Sequence, residues 1–258
     1  MRFFLELAYN GLAFHGWQIQ PNAVSVQEKV ESALSTILRQ EIKITGAGRT
    51  DTGVHARQMF AHFDYQDDIK DKEKWILSLN RLVGKDIFIK NIYKVSEDAH
   101  ARFDANQRTY KYFISFSKSP FLRDFYWHSP TSLDLEAMNS ASQILLNISD
   151  FTSFAKLHSD VKTNICDVRE AGWKEIKKDE EASSFLGQLN DGIVFTISAD
   201  RFLRNMVRAI VGTLVDVGRH KISIERFNQI ILDKNRCSAG TSMPPQALFL
   251  WKVSYPYL

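Results

Sequence analysis

The chain has 258 residues, 44% of them hydrophobic, which leaves room for one large domain or two small ones at roughly 100–200 residues each. A formal net charge of +3 and a pI near 8.7 are mildly basic and compatible with an anionic partner. The two cysteines, Cys166 and Cys237, are far apart and match neither a disulfide framework nor a metal-binding spacing. The opening MRFFLELAYNGL is too short and too polar for a signal peptide, and no later run reaches the roughly 20 apolar residues that span a bilayer. The expectation is a soluble, cytoplasmic protein without a membrane segment.

In chain order, Phe3 to Ala8 predicts a buried strand that ends in the turn Tyr9-Asn10-Gly11. Ser25 to Leu38 predicts a helix. Ser25 and Glu28 have the spacing of a capping box, and Val30, Ala33, Leu34, Ile37 and Leu38 share a face. Met59 to Tyr65 predicts a strand, Trp75 to Leu82 a helix and Ile87 to Val95 a strand. A similar order follows: strand Tyr110 to Phe116, helix Leu133 to Leu146, strands Val168 to Ile176 and Gly192 to Ser198, helix Ile224 to Leu232 and strand Leu248 to Tyr255. The expected fold is α+β: two α/β halves, residues 1–105 and 106–258, with a continuous, mainly antiparallel sheet and a central basic cleft. The charged run Lys177 to Glu181 reads as a hairpin tip or surface loop.

Residues 201–216, RFLRNMVRAIVGTLVD, read as one helix. Its apolar side is broad, and Arg201, Arg204, Asn205 and Arg208 fall on a common face. A row of guanidinium groups fits either a solvated face or a set of phosphate or carboxylate ligands.

The loop ITGAGRTDTGVHAR, residues 44–57, places a single carboxylate, Asp51, among glycines, threonines, Arg49 and Arg57. Gly46 and Gly48 are expected to supply positive φ and close approach for a ligand. An ordinary aspartate is ionised at neutral pH, so this group is suited to act as a nucleophile, an electrostatic stabiliser or a base. On its own the loop also fits a turn capped by Asp51. Asp51-Thr52-Gly53 spells the D-T-G of aspartic proteases, but that chemistry needs two carboxylates sharing a proton. The chain has no second D-T-G or D-S-G, and Arg49 would oppose the shared proton. His55 and His62 straddle a loop–strand junction and read as local hydrogen-bonders, with no metal ligand set.

The run Gly46 to Ala56 resembles the signature of TruA-type tRNA pseudouridine synthases. So do Tyr9-Asn10-Gly11 with Phe14 to Gln18, Ser25 to Glu28, Ala99 to Phe103, Arg108 to Tyr112, Phe202 to Arg208, and Ala239-Gly240-Thr241 with Pro244-Pro245 and Leu248. The resemblance implies the pseudouridine synthase fold, and isomerisation of uridine to pseudouridine in the anticodon stem-loop of tRNA, at positions 38–40, with no cofactor and no metal. It implies Asp51 as nucleophile, Tyr110 stacked on the target base, and Arg208 paired with the carboxylate. Leu248 would pack near the base, Arg49 would hold RNA, and Arg201 and Arg204 would contact phosphate. It also implies a homodimer that binds the anticodon arm. Thr52, Ala247 and Ser242-Met243 depart from the family pattern near the pocket wall. A non-catalytic RNA-binding module is the alternative, but an ionised acid that repels phosphate would gain such a module nothing.

Overall fold

The computed structural model describes residues 1–156, 162–186, 189 and 191–258. The elements run β1 (Arg2–Tyr9), α1 (Val26–Leu38), β2 (Thr45–Gly46), β3 (His55–Asp64), α2 (Lys72–Leu82), β4 (Ile87–Val95), β5 (Gln107–Ser115), β6 (Trp127–His128) and α3 (Leu135–Ile144). They continue with β7 (Val168–Glu175), α4 (Glu180–Phe185), β8 (Gly192–Ala199), α5 (Met206–Gly218), α6 (Ile224–Leu232) and β9 (Leu248–Ser254). The chain divides into two compact units, Met1–Gln107 with Phe249–Leu258, and Arg108–Leu248.

In the first unit, β1 lies antiparallel between β4 and β3. Phe3, Phe4, Leu5 and Leu7 of β1 are all buried, so both faces of this strand carry core. Burial of each such side chain contributes about 1.5–3 kcal/mol. The capping box forms as its spacing predicts: Ser25 Oγ accepts the Glu28 N–H at 3.2 Å, and the Glu28 carboxylate accepts the Ser25 N–H at 3.4 Å. The last strand, β9, joins this unit in parallel with β3, pairing Phe249 with His55 and Leu250 with Ala56.

In the second unit, β8 lies antiparallel between β5 and β7, and β6 extends β5 in parallel. Helix α5 is buried nearly all round and packs against α3 and α6. The sheets of both units are thus mostly antiparallel, and the fold is α+β.

Two expectations about the elements require correction. Residues 201–205 are not helical: α5 starts at Met206, and Asn205 is left-handed at φ 66°. Arg201, Arg204 and Asn205 therefore do not share a helix face with Arg208. Asp200 explains part of this: its carboxylate accepts the Arg201 N–H at 2.7 Å, a local bond that competes with a helical turn, and the Asp167 N–H at 2.8 Å, which ties it to the chain before β7. The run Lys177 to Glu181 is also more than a loop tip. Asp179 caps α4 by accepting the Ala182 N–H at 2.9 Å, and its two oxygens take the buried Lys111 ammonium at 2.8 Å each.

Candidate active site

The loop that carries Asp51 joins β2 to β3 and is held at Thr50, at the turn that follows Asp51 and at His55. Thr50 is buried, its hydroxyl lies 2.8 Å from the Tyr9 hydroxyl, and its carbonyl accepts the Trp17 N–H at 3.2 Å. The Val54 N–H returns to the Asp51 carbonyl at 3.1 Å and closes a turn around Thr52 and Gly53. His55 is buried, its Nδ1 accepts the Gly11 N–H at 3.1 Å, and its ring lies 4.5 Å from that of Phe249 at 20°. Asp51 itself is half-buried, while Arg49 and Thr52 are exposed.

The expected positive φ is not found at Gly46 or Gly48. Positive φ occurs at Gly53 (78°), in the turn, and at Gly16 (88°), in the segment that overlies Thr50. Gly46 is needed for space, since a Cβ there would come within 2.6 Å of the Trp17 indole; a Cβ at Gly48 would meet nothing within 4 Å. The loop is polar and glycine-rich, but its backbone is pinned.

Arg57, on the other side of Asp51 in the sequence, is engaged locally: its guanidinium lies over the Trp251 ring at 4.7 Å. His62 is a local hydrogen-bonder, accepting the Ala101 N–H at Nδ1 at 3.1 Å. Burial holds His62 down at about 4.

In the second unit Tyr110 occupies β5 opposite Ile197 of β8, half-buried, and Phe202 meets its ring edge-on at 5.0 Å and 84°. Such a contact fixes the plane of the tyrosine ring. Beside it, the Arg108 guanidinium donates to the Asp200 carbonyl at 2.6 Å. Arg208, two residues into α5, is gripped twice by Met243: its Nε donates to the Met243 carbonyl at 2.5 Å, and its own carbonyl accepts the Met243 N–H at 3.1 Å. The 240–243 segment approaches α5 so closely that a Cβ on Gly212 would stand 1.9 Å from the Thr241 carbonyl oxygen. Arg201 is half-buried and Arg204 exposed, and Leu248 is buried at the start of β9.

A helical reading of residues 201–216 hides the role of Phe202 as a support for Tyr110. Sequence reasoning also missed Arg236, whose guanidinium donates to the Gly240 carbonyl at 3.1 Å and to Ser242 Oγ at 2.8 Å. The Met243 departure is intelligible here, because Arg208 is held by the main chain of Met243, which any residue but proline supplies.

A family model described as tRNA pseudouridine synthase matches residues 141–256. The chain is 52% identical over 255 residues to the tRNA pseudouridine synthase A of Bacteroides fragilis, spanning 99% of this chain and 96% of that protein. The chain belongs to the tRNA pseudouridine synthase A family. The proteins of that name from Porphyromonas gingivalis, 50% identical over 256 residues (99% of this chain, 97% of the relative), and Bacillus licheniformis, 37% identical over 259 residues (99% of each), extend the match. As a member of this family the chain is an enzyme, an isomerase.

Among the described residues of this synthase no helix is long and apolar enough to cross a membrane. Cys166 and Cys237 are free thiols; burial pushes Cys166 up to about 12, out of the reactive range.

Proposed function

We propose that this isomerase converts uridine to pseudouridine in the anticodon stem-loop of tRNA, with Asp51 as the nucleophile. The glycosidic bond from C1′ to N1 breaks, the uracil turns, and C1′ bonds to C5. The C5 proton leaves and N1 gains one, so the product is an isomer and no oxidant, reductant or second substrate enters. Tyr110 stacks on the everted base, a contact of about 1–3 kcal/mol. Arg208 is the partner of the carboxylate, and Leu248 is the apolar floor of the base site. Arg49, Arg201 and Arg204 contact RNA. The same reading makes the enzyme a cytoplasmic homodimer whose ligand is the anticodon arm.

The observation that carries this reading is Asp51: a half-buried carboxylate on a loop pinned through Thr50 and His55, within a family of uridine isomerases. A module that only bound RNA would lose affinity by presenting this charge and would have no use for fixing its backbone. The test uses purified protein, an unmodified tRNA transcript, and chemical mapping of pseudouridine. Product confined to the anticodon arm supports the proposal; product elsewhere in the tRNA, or none with the intact protein, rejects the assigned substrate site.

A further inference from the structure

Two side chains outside the assigned site grip the Asp51 loop at its two ends, and both do so through the 9–17 segment. At the leading end the Tyr9 hydroxyl meets Thr50 Oγ1 at 2.8 Å. Gly16, at φ 88°, lets the same segment lie against the Thr50 carbonyl, where a Cβ would stand at 2.6 Å. At the trailing end the Gly11 N–H donates to His55 Nδ1 at 3.1 Å, and a Gly11 Cβ would stand 2.0 Å from the Val54 carbonyl oxygen. Tyr9 is 5% exposed and His55 1%, so neither reaches solvent.

The chemistry of these contacts is directional. His55 Nδ1 accepts a backbone N–H, so it carries no proton, and the neutral ring is protonated at Nε2. The ring lies flat on Phe249, which fixes the direction of the acceptor. The Tyr9 hydroxyl fixes Thr50, the residue bonded to Asp51, and the turn from Asp51 to Val54 transmits the hold from His55. Between these anchors the Asp51 backbone has little freedom. A displacement of about 1 Å at a reacting group can cost on the order of 100-fold in rate.

We infer that Tyr9 and His55 are positioning residues that aim the Asp51 carboxylate through Thr50 and the Asp51–Val54 turn. This rests on Asp51 being the nucleophile. The test compares Tyr9→Phe, Thr50→Val, their double variant, His55→Phe and His55→Asn. The readouts are single-turnover pseudouridine formation at saturating tRNA, tRNA Kd by filter binding, and Tm. Tyr9→Phe and Thr50→Val each remove one hydroxyl without changing shape. The expected result for each is a loss of about 10–100-fold in the saturated rate. Kd should stay within about twofold, and the double variant should lose clearly less than the product of the two single losses, since both singles break the Tyr9–Thr50 contact. His55→Phe keeps a flat ring and loses the acceptor; His55→Asn restores an acceptor near the Nδ1 position and should recover most of the rate. Saturated rates equal to the parent, losses that appear in Kd instead, or additive losses in the double variant overturn the inference. If His55→Phe does not fold, the hydroxyl pair decides. An Asp51→Asn control separates the two readings: an active control removes the nucleophile assignment, whereas an inactive control beside fully active Tyr9→Phe and Thr50→Val proteins removes only the positioning role.

Discussion

Lys111→Met should be among the most destabilising single changes in the second unit that leave its apolar core intact. The Lys111 side chain is 5% exposed and that of Asp179 11%, with the ammonium 2.8 Å from each carboxylate oxygen. Glu181 adds a weaker pairing at 3.4 Å from a largely exposed position. Removing one member of a buried pair typically costs about 3–5 kcal/mol, because the other charge is left without its partner. Asp179 keeps the Ala182 N–H and some solvent, which places the expected loss near the lower end, about 3 kcal/mol. At about 2–4 °C per kcal/mol for a chain of this size, Tm should fall by about 6–12 °C. Urea unfolding of the parent, Lys111→Met, Asp179→Asn and the double variant measures this directly. The double variant should be more stable than the sum of the singles predicts, by about 1–3 kcal/mol of coupling. Burial pushes the Asp179 carboxyl up, but the Lys111 and Ala182 hydrogen bonds outweigh it and hold the group below the usual carboxylate range. The pair's contribution should therefore persist above the ordinary carboxylate pKa and disappear only in stronger acid. A Lys111→Met protein within about 0.5 kcal/mol of the parent, or strictly additive losses, would refute the reasoning.

Gly212→Ala should destabilise by about 2–3 kcal/mol despite the better helix propensity of alanine, because the new methyl collides with the Thr241 carbonyl; urea unfolding checks this. His62 is held by burial at about 4 against an ordinary 6.5, so between those values the unfolded chain binds a proton that the native chain does not. Stability should be full above pH 6.5 and fall toward pH 4 by about 1–2 kcal/mol, allowing for partial solvent screening, and His62→Asn should flatten that fall. Affinity for tRNA should drop with salt, with a log–log slope of roughly −2 to −3 for the three phosphate contacts of Arg49, Arg201 and Arg204. A flat salt profile would rule out an electrostatic RNA surface.

Local signals carried much of this structure. The capping box at Ser25 and Glu28, the strand Ile87 to Val95 and the helix Ile224 to Leu232 are each marked by periodicity or cap chemistry, and they form where those marks fall. The arginine run misled because a helical period persists in residues 201–205 even though Asp200 captures the Arg201 N–H there and Asn205 turns left-handed. Lys177 to Glu181 misled because a charged run usually marks a solvated loop, and the partner that buries Asp179 lies 68 residues earlier, at Lys111. The parallel pairing of β9 with β3 has no local mark at all, since it joins residues almost 200 positions apart. At the site, the sequence marks Asp51 as a candidate, whereas the pinning of its loop through Thr50 and His55 has no local mark. Tyr9, Gly11, Gly16 and Trp17 read only as an opening motif until the fold brought them against Thr50 and His55.

The central claim is that the Asp51 carboxylate performs the chemistry and not the binding. Asp51→Asn keeps the size and the turn and removes the negative charge. Assayed with an unmodified tRNA transcript, this variant should bind at least as tightly as the parent and form no pseudouridine in a single turnover. Pseudouridine formation at a rate comparable to the parent would contradict the account.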